Sequence, residues 1–313
     1  MTSASDNGAA ALARLREQID AVDRQLLALL SERARCAQGV AKVKADSGDT
    51  QFYRPEREAQ ILRAVKENNP GPLAAEEMAR LFREIMSACL ALEQPVKVAF
   101  LGPEGTFTQA AALKHFGHSA VAMPLPAIDE VFREVAAGAA DYGVVPVENS
   151  TEGVVNHTLD SFLDSSLQIC GEVELRIHQH LLIGSNTKPD NITRVYSHPQ
   201  SLAQCRKWLD AYLPKAERVT LNSNAEAAKR VAGEWSSAAI AGAMAESLYG
   251  LTRLHSNIED EPDNTTRFLI IGRSDVPPSG DDKTSVMVSV KNEPGALYRL
   301  LEPFRNHGID LTR

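Results

Sequence analysis

Three cations lie along one face of a long predicted helix near the start of the chain. Arg33 occupies a position in an apolar stripe whose members recur at alternating three- and four-residue steps, and Arg16 and Lys44 border that stripe. The other stripe positions are Leu12, Leu15, Ile19, Val22, Leu26, Leu29, Cys36, Val40 and Val43. A guanidinium in such a stripe is costly unless an anion meets it. Arg33 is therefore expected to pair with a neighbouring carboxylate, to extend out to solvent, or to bind a ligand carboxylate.

The length of this helix predicts a partner chain. From Ala10 to Asp46 it would extend about 55 Å, and the roughly 45 remaining residues of its module are too few to cover the stripe. Stripes of this spacing are typical of helices that pack together in bundles and coiled coils. We therefore expect a homodimer that forms through the N-terminal helices.

Composition and charge exclude several classes of function. A chain of 313 residues should hold two or three domains, and its net charge of −8 argues against nucleic acid as a partner. The four cysteines have neither CxxC spacing nor a histidine cluster nearby, so neither disulfides nor a metal site is expected. Residues 1–9 are predicted to be a disordered tail, and no segment approaches the roughly 20 apolar residues of a membrane span. A cytoplasmic protein is expected.

The chain divides into a helical part and an alternating part. Residues 10–95 are predicted to be helical, with later helices from Pro55 to Asn68 and from Ala74 to Glu93. Strands and helices then alternate over residues 96–273, a pattern that predicts a parallel sheet with helices on its faces.

The C-terminal part is predicted to be a separate, incomplete module. Residues 274–283 form a polar linker, and residues 284–313 begin a strand–helix–strand unit. Its expected elements are a strand from Ser285 to Val290, a helix from Gly295 to His307 and a second strand from Ile309. About 30 residues cannot close a core unaided, so this module looks truncated.

Four loops combine groups that could bind an organic anion. The loop at 102–108 links a strand to a helix that Thr106 or Thr108 could cap, and free amides at such a start favour a carboxylate or phosphate. It matches neither a dinucleotide-binding fingerprint nor a P-loop, which disfavours a nicotinamide dehydrogenase.

The other three loops also lie at strand ends. Residues 146–153 (PVENSTEG) place Glu148, Asn149 and Ser150 where an open α/β sheet binds ligands. A helix cap at Ser150 or Thr151 would explain one hydroxyl but not its neighbours. His198 lies in a similar loop, although single histidines are often structural. Residues 263–268 (DNTTRF) supply two hydroxyls beside a cation.

These motifs together resemble a known family. GPEGTFTQAA, PVENSTEG with the TLD at 158–160, SHPQSLAQC and NTTRF strongly resemble prephenate dehydratase. LREQID, LLALLSERA, KVK and YRPERE resemble the all-helical chorismate mutase, and EPGALYRLLEPFRNHGIDLTR resembles the first half of an ACT regulatory module. The resemblance is to the bifunctional chorismate mutase/prephenate dehydratase family, which leads to phenylalanine. It implies an all-α three-helix mutase module (10–95), a two-lobed α/β dehydratase domain like a periplasmic binding protein (96–273) and a partial α+β ACT module (284–313).

For the first module, the resemblance implies rearrangement of chorismate to prephenate without a cofactor or covalent intermediate. Lys44 would donate to the breaking ether oxygen, Glu58 would hold the ring hydroxyl, and Arg16 would reach in from the second subunit. The implied substrate-binding residues are Arg16, Arg33, Arg54, Arg57, Glu58 and Cys89.

Two positions depart from the family pattern. Glu93 stands where many members have Gln as a second donor to the ether oxygen, and Cys89 stands where the pattern has Ser. An ionised carboxylate cannot donate a hydrogen bond. We therefore predict that Glu93 acts in its protonated form, with its pKa raised by burial.

For the second module, the resemblance implies loss of water and carbon dioxide from prephenate to give phenylpyruvate. Thr266 would lie at the leaving hydroxyl as a hydrogen-bond donor or proton relay. The implied substrate-binding residues are Thr106, Glu148, Asn149, Ser150, Gln200 and Arg267. For Arg267, binding of a carboxylate and support of its strand remain equal alternatives.

The C-terminal motif suggests regulation. Gly295, Ala296 and Leu297 match the family's loop for phenylalanine feedback, with phenylalanine as the effector if the module is complete. The motif expected to follow is absent before Arg313, which argues against feedback in this polypeptide. The alternative functions are a dehydratase with a non-catalytic, dimerising mutase module, an allosteric sensor, and a non-catalytic binding protein for an organic anion.

Overall fold

Three helices form the N-terminal part of the computed structural model, which describes residues 3–48 and 52–311. They are α1 (Ser3–Ser47), α2 (Pro55–Glu67) and α3 (Ala75–Ala91). The last two end within two residues of their predicted limits, and Glu93 therefore lies in the turn after α3. The prediction of a disordered tail is wrong for residues 3–9, because α1 begins at Ser3. The alanine-rich stretch that follows favours continuation of the helix toward the N-terminus.

The apolar stripe of α1 is open to solvent in the single chain. Leu12 is 49% exposed, Ile19 58% and Val43 68%, and α1 packs against α3. Helices in proteins draw most of their stability from packing an apolar face against a neighbour. An apolar face of this length is typical of a surface that a protein partner covers.

Two mixed sheets form the α/β part, each with helices on its faces. The first sheet has the order β2–β1–β3–β11–β5, with β4 paired to β3, and the second has the order β10–β6–β9–β7–β8. The elements of the first lobe are β1 (Lys97–Leu101), α4 (Phe107–Phe116), β2 (Val121–Leu125), α5 (Ile128–Ala136), β3 (Tyr142–Asn149), β4 (Gly153–Val154), α6 (Asn156–Leu163), β5 (Gln168–Arg176) and β11 (Thr265–Gly272). Those of the second lobe are β6 (His180–Ile183), β7 (Arg194–Ser197), α7 (Pro199–Gln204), α8 (Arg206–Tyr212), β8 (Glu217–Thr220), α9 (Asn224–Val231), β9 (Ser237–Ala241), α10 (Ala243–Tyr249) and β10 (Thr252–His255).

The expected parallel sheet is only partly correct. Strands β1, β2 and β3 are parallel, but β11 runs antiparallel to both β3 and β5, and β6 runs antiparallel to β9 and β10. The chain crosses to the second lobe after β5 and returns before β11. The returning strand inserts between two strands of the first lobe in the opposite direction, which alternation along the sequence does not reveal.

The first lobe shares a core with the helical module. Tyr53, in the segment before α2, is buried in a cluster with Phe100 and Phe116 of the first lobe. Its ring centroid lies 5.4 Å from that of Phe116 and 5.3 Å from that of Tyr142. Burial of one aromatic side chain in a core contributes about 2 kcal/mol. This contact joins the two modules.

Residues 280–311 form a second unit with a single described helix, α11 (Ala296–Asn306). The strands predicted from Ser285 to Val290 and from Ile309 are not formed among these described residues. A strand needs a hydrogen-bonded neighbour, and this unit holds no described partner strand. Among the described helices, none has the length and apolar character needed to cross a membrane.

Candidate active sites

The first candidate site lies between the C-terminal end of α1 and the turn after α3. Lys44 is half-buried there, and its Nζ donates to the carbonyl oxygen of Phe52 at 3.2 Å and lies 5.3 Å from the centre of the Phe52 ring. Glu93 lies close enough to Lys44 and Arg33 to feel both charges. Desolvation by burial raises the pKa of Glu93, while Lys44 and Arg33 oppose the rise. The direction of this shift agrees with the prediction made from the sequence.

One oxygen of Glu93 is buried without a hydrogen bond. Its Oε2 has no partner among the described residues. A carboxyl group that carries a proton can donate from such a position to a ligand oxygen. The site therefore combines two cations with a carboxyl group that burial favours as neutral.

Arg16 lies outside this cluster within one chain. It is exposed, and the 17 residue steps from it to Arg33 correspond to about 25 Å along α1. No side chain spans that distance. The structure thus brings Arg33, Lys44 and Glu93 together but not Arg16.

Glu58 belongs to a second cluster that sequence reasoning did not find. Arg83 Nε of α3 lies 3.5 Å from Glu58 Oε1, and Tyr53 lies close enough to the same carboxylate to favour its charged form. Burial raises the pKa of Glu58 to about 7, against the opposing effect of Arg83. The Tyr53 hydroxyl also lies 3.3 Å from His115 Nε2 of α4. Arg83 was missed because its role depends on packing between α2 and α3.

The remaining predicted residues of this module differ in burial. Arg57 is exposed, Arg54 is half-buried and Cys89 is buried on α3. A buried thiol of this kind packs as a small apolar group.

The second candidate site is a cleft of about 200 Å³ between the two lobes. Four of the predicted substrate-site residues line it: Thr106, Asn149, Gln200 and Thr266. The second lobe adds polar residues that sequence reasoning did not single out: Gln179, Ser201, Gln204 and Asn224. The cleft walls are therefore mostly neutral hydrogen-bonding groups with apolar surface between them.

Two helix starts from different lobes meet at this cleft. Thr106 caps α4, since its hydroxyl oxygen accepts from Gln109 N at 3.4 Å, and this confirms one of the two predicted caps. Ser223 caps α9 in the same way from Glu226 N at 3.0 Å. The positive ends of two helix dipoles favour an anion. His198 caps α7 through its Nδ1, and burial lowers its pKa, so its role is at least partly structural.

Asn149 and Thr266 are paired at the ends of two neighbouring strands. They face each other in the register of β3 and β11, and Asn149 Nδ2 donates to Thr266 Oγ1 at 2.8 Å. The Asn149 Oδ1 atom accepts from Thr151 N, the Thr151 hydroxyl and Glu152 N at 3.0, 2.7 and 3.1 Å. Asn149 thus organises this turn, and helix capping by Ser150 or Thr151 does not explain the motif, since α6 begins only at Asn156.

Glu148, Ser150 and Arg267 do not line the described cleft. Neighbouring residues of a strand point to opposite faces, so the alternation that brings Asn149 and Thr266 to the cleft turns Glu148 and Arg267 away. Arg267 lies 3.1 Å from Glu148 Oε2 and 2.9 Å from Glu172 Oε2. Ser150 Oγ accepts from Thr265 N at 2.9 Å. These contacts favour support of the strands, the second alternative for Arg267, while substrate contact by Glu148, Ser150 and Arg267 stays a prediction.

We expect Arg267→Met to destabilise the first lobe by about 2 kcal/mol, because two partly buried carboxylates would lose their common counter-charge. Urea unfolding of the full chain measures this change. Arg133→Met is the matched control, since Arg133 is 63% exposed and pairs on the surface of α5. It should cost at most about 0.5 kcal/mol. Equal stability of the two variants would contradict the supporting role of Arg267.

Comparisons with known proteins follow the two-module division. A family model described as prephenate dehydratase matches residues 98–276, and one described as chorismate mutase type II matches residues 15–94. A bifunctional chorismate mutase/prephenate dehydratase from Pseudomonas aeruginosa is 69% identical over 306 residues, covering 96% of this chain and 84% of the relative. The chain belongs to the bifunctional chorismate mutase/prephenate dehydratase family. Another member, from Neisseria gonorrhoeae, is 51% identical over 300 residues, covering 95% and 82% of the two chains.

A solved structure supports the dehydratase fold. The crystal structure of a prephenate dehydratase from Arthrobacter aurescens in complex with L-Phe has a TM-score of 0.63 and 33% identity, and covers 70% of this chain and 74% of that one. The helical chorismate mutase module and the α/β prephenate dehydratase domain are thereby confirmed.

Membership of the bifunctional family also confirms the expected activities. The chain is an enzyme of phenylalanine biosynthesis that converts chorismate to prephenate and prephenate to phenylpyruvate. The alternative of a non-catalytic anion-binding protein is set aside. Neither family model reaches residues 284–313, where the ACT resemblance lies.

Proposed function

We propose that the chorismate mutase reaction takes place at a site formed by Arg33, Lys44 and Glu93. Chorismate is a flexible dianion, and its rearrangement needs a compact conformation and stabilisation of negative charge on the breaking ether oxygen. The Arg33 guanidinium binds a carboxylate, while Lys44 and protonated Glu93 donate to the ether oxygen. The single observation that carries this proposal is the proximity of both cations to the half-buried carboxyl group of Glu93, whose Oε2 atom is buried.

A homodimer would complete this site. The exposed stripe of α1 offers an apolar surface for a second copy, and Arg16 is too far from Arg33 to serve the same substrate in one chain. Antiparallel pairing of two α1 helices centred near Leu26 would bring Arg16 of one copy beside the other copy's residues 33–44. Arg16 would then bind the second carboxylate across the interface.

We expect Ile19→Glu to dissociate the dimer and to lower mutase activity about tenfold or more at low protein concentration. Dehydratase activity should persist, because its cleft lies within one chain. Light scattering and both activities, measured over a dilution series, test this expectation.

Ala28→Glu is the matched control for Ile19→Glu. It introduces the same charge nine residues further along α1. Nine residues are two and a half turns, so Ala28 lies on the exposed face opposite Ile19. It should leave both the oligomeric state and the mutase activity unchanged. A chain that is monomeric before substitution, yet has full mutase activity, would contradict the dimer proposal.

For the dehydratase reaction, we propose that Thr266 donates a hydrogen bond to the departing ring hydroxyl. The ring carboxylate leaves as carbon dioxide, its bonding electrons move through the ring, and the hydroxyl leaves as water after taking up one proton. A threonine hydroxyl is a weak acid, so it acts as a donor or relays a proton from solvent. The observation behind this proposal is the hydrogen bond that Asn149 Nδ2 donates to Thr266 Oγ1. Because the oxygen already accepts this bond, the hydroxyl hydrogen is left to donate to the substrate.

Recognition of the prephenate dianion would rest on backbone amides and neutral side chains. The starts of α4 and α9 approach the cleft from opposite lobes, and Gln200 adds an amide. Closure of the lobes would exclude water and strengthen these interactions. The lobes are joined by the chain crossings after β5 and before β11, so such a movement would not require either sheet to unfold.

One assay tests both proposals. The full chain is supplied with chorismate, and prephenate and phenylpyruvate are followed over time. Formation of both supports two working sites. Conversion of added prephenate alone would indicate a non-catalytic mutase module that serves dimerisation, and absence of both products would overturn the assignment of both sites.

We also propose that phenylalanine regulates the enzyme. The similarity to a dehydratase crystallised with L-Phe supports phenylalanine as an effector. Gly295, with its positive φ of 80°, precedes the first residue of α11, Ala296, within the Gly295–Leu297 motif. The ACT module, the domain limits at 95, 273 and 283 and the cytoplasmic location stay predictions.

A further inference from the structure

We propose that Asn264 is a positioning residue of the dehydratase reaction, which acts by fixing the Asn149 amide that orients the Thr266 hydroxyl. Asn264 lies just before β11, is 2% exposed and does not line the cleft itself. The inference rests on the proposed role of Thr266 and adds a residue behind it. Its basis is a chain of three side chains joined by two hydrogen bonds.

The orientation of the Asn149 amide is determined by its partners. Two backbone N–H groups, of Thr151 and Glu152, point at one of its terminal atoms. These groups can only donate, so that atom must be the oxygen and the other must be Nδ2. Nδ2 has two hydrogens, which go to Thr266 Oγ1 at 2.8 Å and to Asn264 Oδ1 at 2.9 Å.

This arrangement decides what the Thr266 hydroxyl can do. Because its oxygen accepts from Asn149, its hydrogen must point away from that amide, and Thr266 lines the cleft. An accepted hydrogen bond also polarises the hydroxyl and makes it a better donor. Without Asn264, one amide hydrogen of Asn149 would lose its partner, and the amide would lose one of the four contacts that hold it toward Thr266.

The acceptor on Asn264 is also neutral, so it does not repel the dianionic substrate. Asn264 Oδ1 accepts from Asn149, while Asn264 Nδ2 is buried without a partner among the described residues. Such an orphan donor is unfavourable, and an aspartate of the same shape would leave a buried, charged oxygen in its place. An aspartate would instead place a negative charge one side chain behind the bound prephenate. The amide thus keeps the geometry of a carboxylate without its repulsion.

The backbone holds Asn264 in place where the chain crosses between the lobes. Ile177 N of the first crossing segment donates to Asn264 O at 2.8 Å, and Asn264 N donates to Glu261 O at 3.4 Å. The side chain is therefore placed by the junction of the two lobes rather than by the cleft wall.

The test uses Asn264→Ala and Asn264→Asp in the full chain. Asn264→Ala should lower dehydratase kcat about tenfold or more and change the KM for prephenate by less than about threefold. Asn264→Asp keeps the acceptor, so its kcat should recover at acidic pH, and its KM should rise as the new carboxyl group ionises. Mutase activity, measured on the same samples, should not change.

A double variant distinguishes positioning from a general structural role. If Asn264 acts through Thr266, then Asn264→Ala should cause little further loss in a Thr266→Ala chain. Multiplicative losses, a parallel fall in mutase activity or a pH-independent Asn264→Asp profile would overturn the inference. Thr187→Val, which removes a buried hydroxyl bonded to Glu234 O in the second lobe, is the control and should leave dehydratase kinetics unchanged.

The same experiment separates this inference from the proposal on which it rests. Full activity in Thr266→Ala alone would mean that Thr266 is not the donor. Loss in Thr266→Ala combined with full activity in both Asn264 variants would mean that Thr266 acts without Asn264.

Discussion

Thr266→Ala should lower dehydratase kcat at least about 100-fold, because a donor to the leaving hydroxyl would be lost from the transition state. Thr266→Ser retains the hydroxyl and the bond from Asn149, so it should keep a measurable part of the activity. Steady-state kinetics with prephenate measure both effects. Mutase kinetics on the same samples report whether the chain is folded.

Thr265→Ala is the control at the neighbouring position. Its hydroxyl donates to Asp263 O and lies outside the described cleft lining, so dehydratase kinetics should change by less than about threefold. If Thr266→Ala were as active as this control, Thr266 would have no part in the chemistry.

Glu93→Gln should flatten the pH profile of the mutase. Burial raises the pKa of Glu93, and the protonated form is the donor in the proposed mechanism. Activity of the natural chain is then full below this pKa and falls about tenfold for each pH unit above it. Glutamine donates at any pH, so the variant should exceed the natural chain at alkaline pH. Glu93→Ala, which has no donor, should lose about 100-fold throughout.

Mutase rates measured across pH with chorismate test this expectation. Glu84→Gln provides the control. Glu84 lies on α3, the helix that precedes Glu93, and it pairs with His118 on the surface. A Glu93→Gln enzyme that is slower than the natural chain at every pH would indicate that ionised Glu93 is the working form.

Local patterns predicted the elements but not their long-range arrangement. The stripe, the caps and the loop compositions placed α2, α3 and Thr106 correctly, because these features depend on neighbouring residues. They could not show that β11 inserts antiparallel beside β3, which sets the cleft partners of Asn149.

The same limit explains the residues whose surroundings differ from expectation and those that were missed. Motif resemblance grouped Glu148 and Arg267 with the substrate because they are adjacent in sequence to residues that line the cleft. Strand alternation, which turns them to the other face, became decisive only once the register was known. Arg83 and Gln179 contact partners far away in the chain, and no local signal announces them; Asn264 lies in the NTTRF motif, but the motif does not show that its side chain contacts Asn149.

The ring of Tyr53 has a consequence for the exchange of modules between enzymes. It fills part of the core of the first lobe although it belongs to the mutase module. The module boundary that the sequence motifs indicate therefore does not separate two independent cores. A dehydratase cut from this chain after Pro95 would carry a hole where that ring stood, and such holes cost several kcal/mol. Recombination that joins or separates the two catalytic modules must therefore also supply a side chain to fill that position.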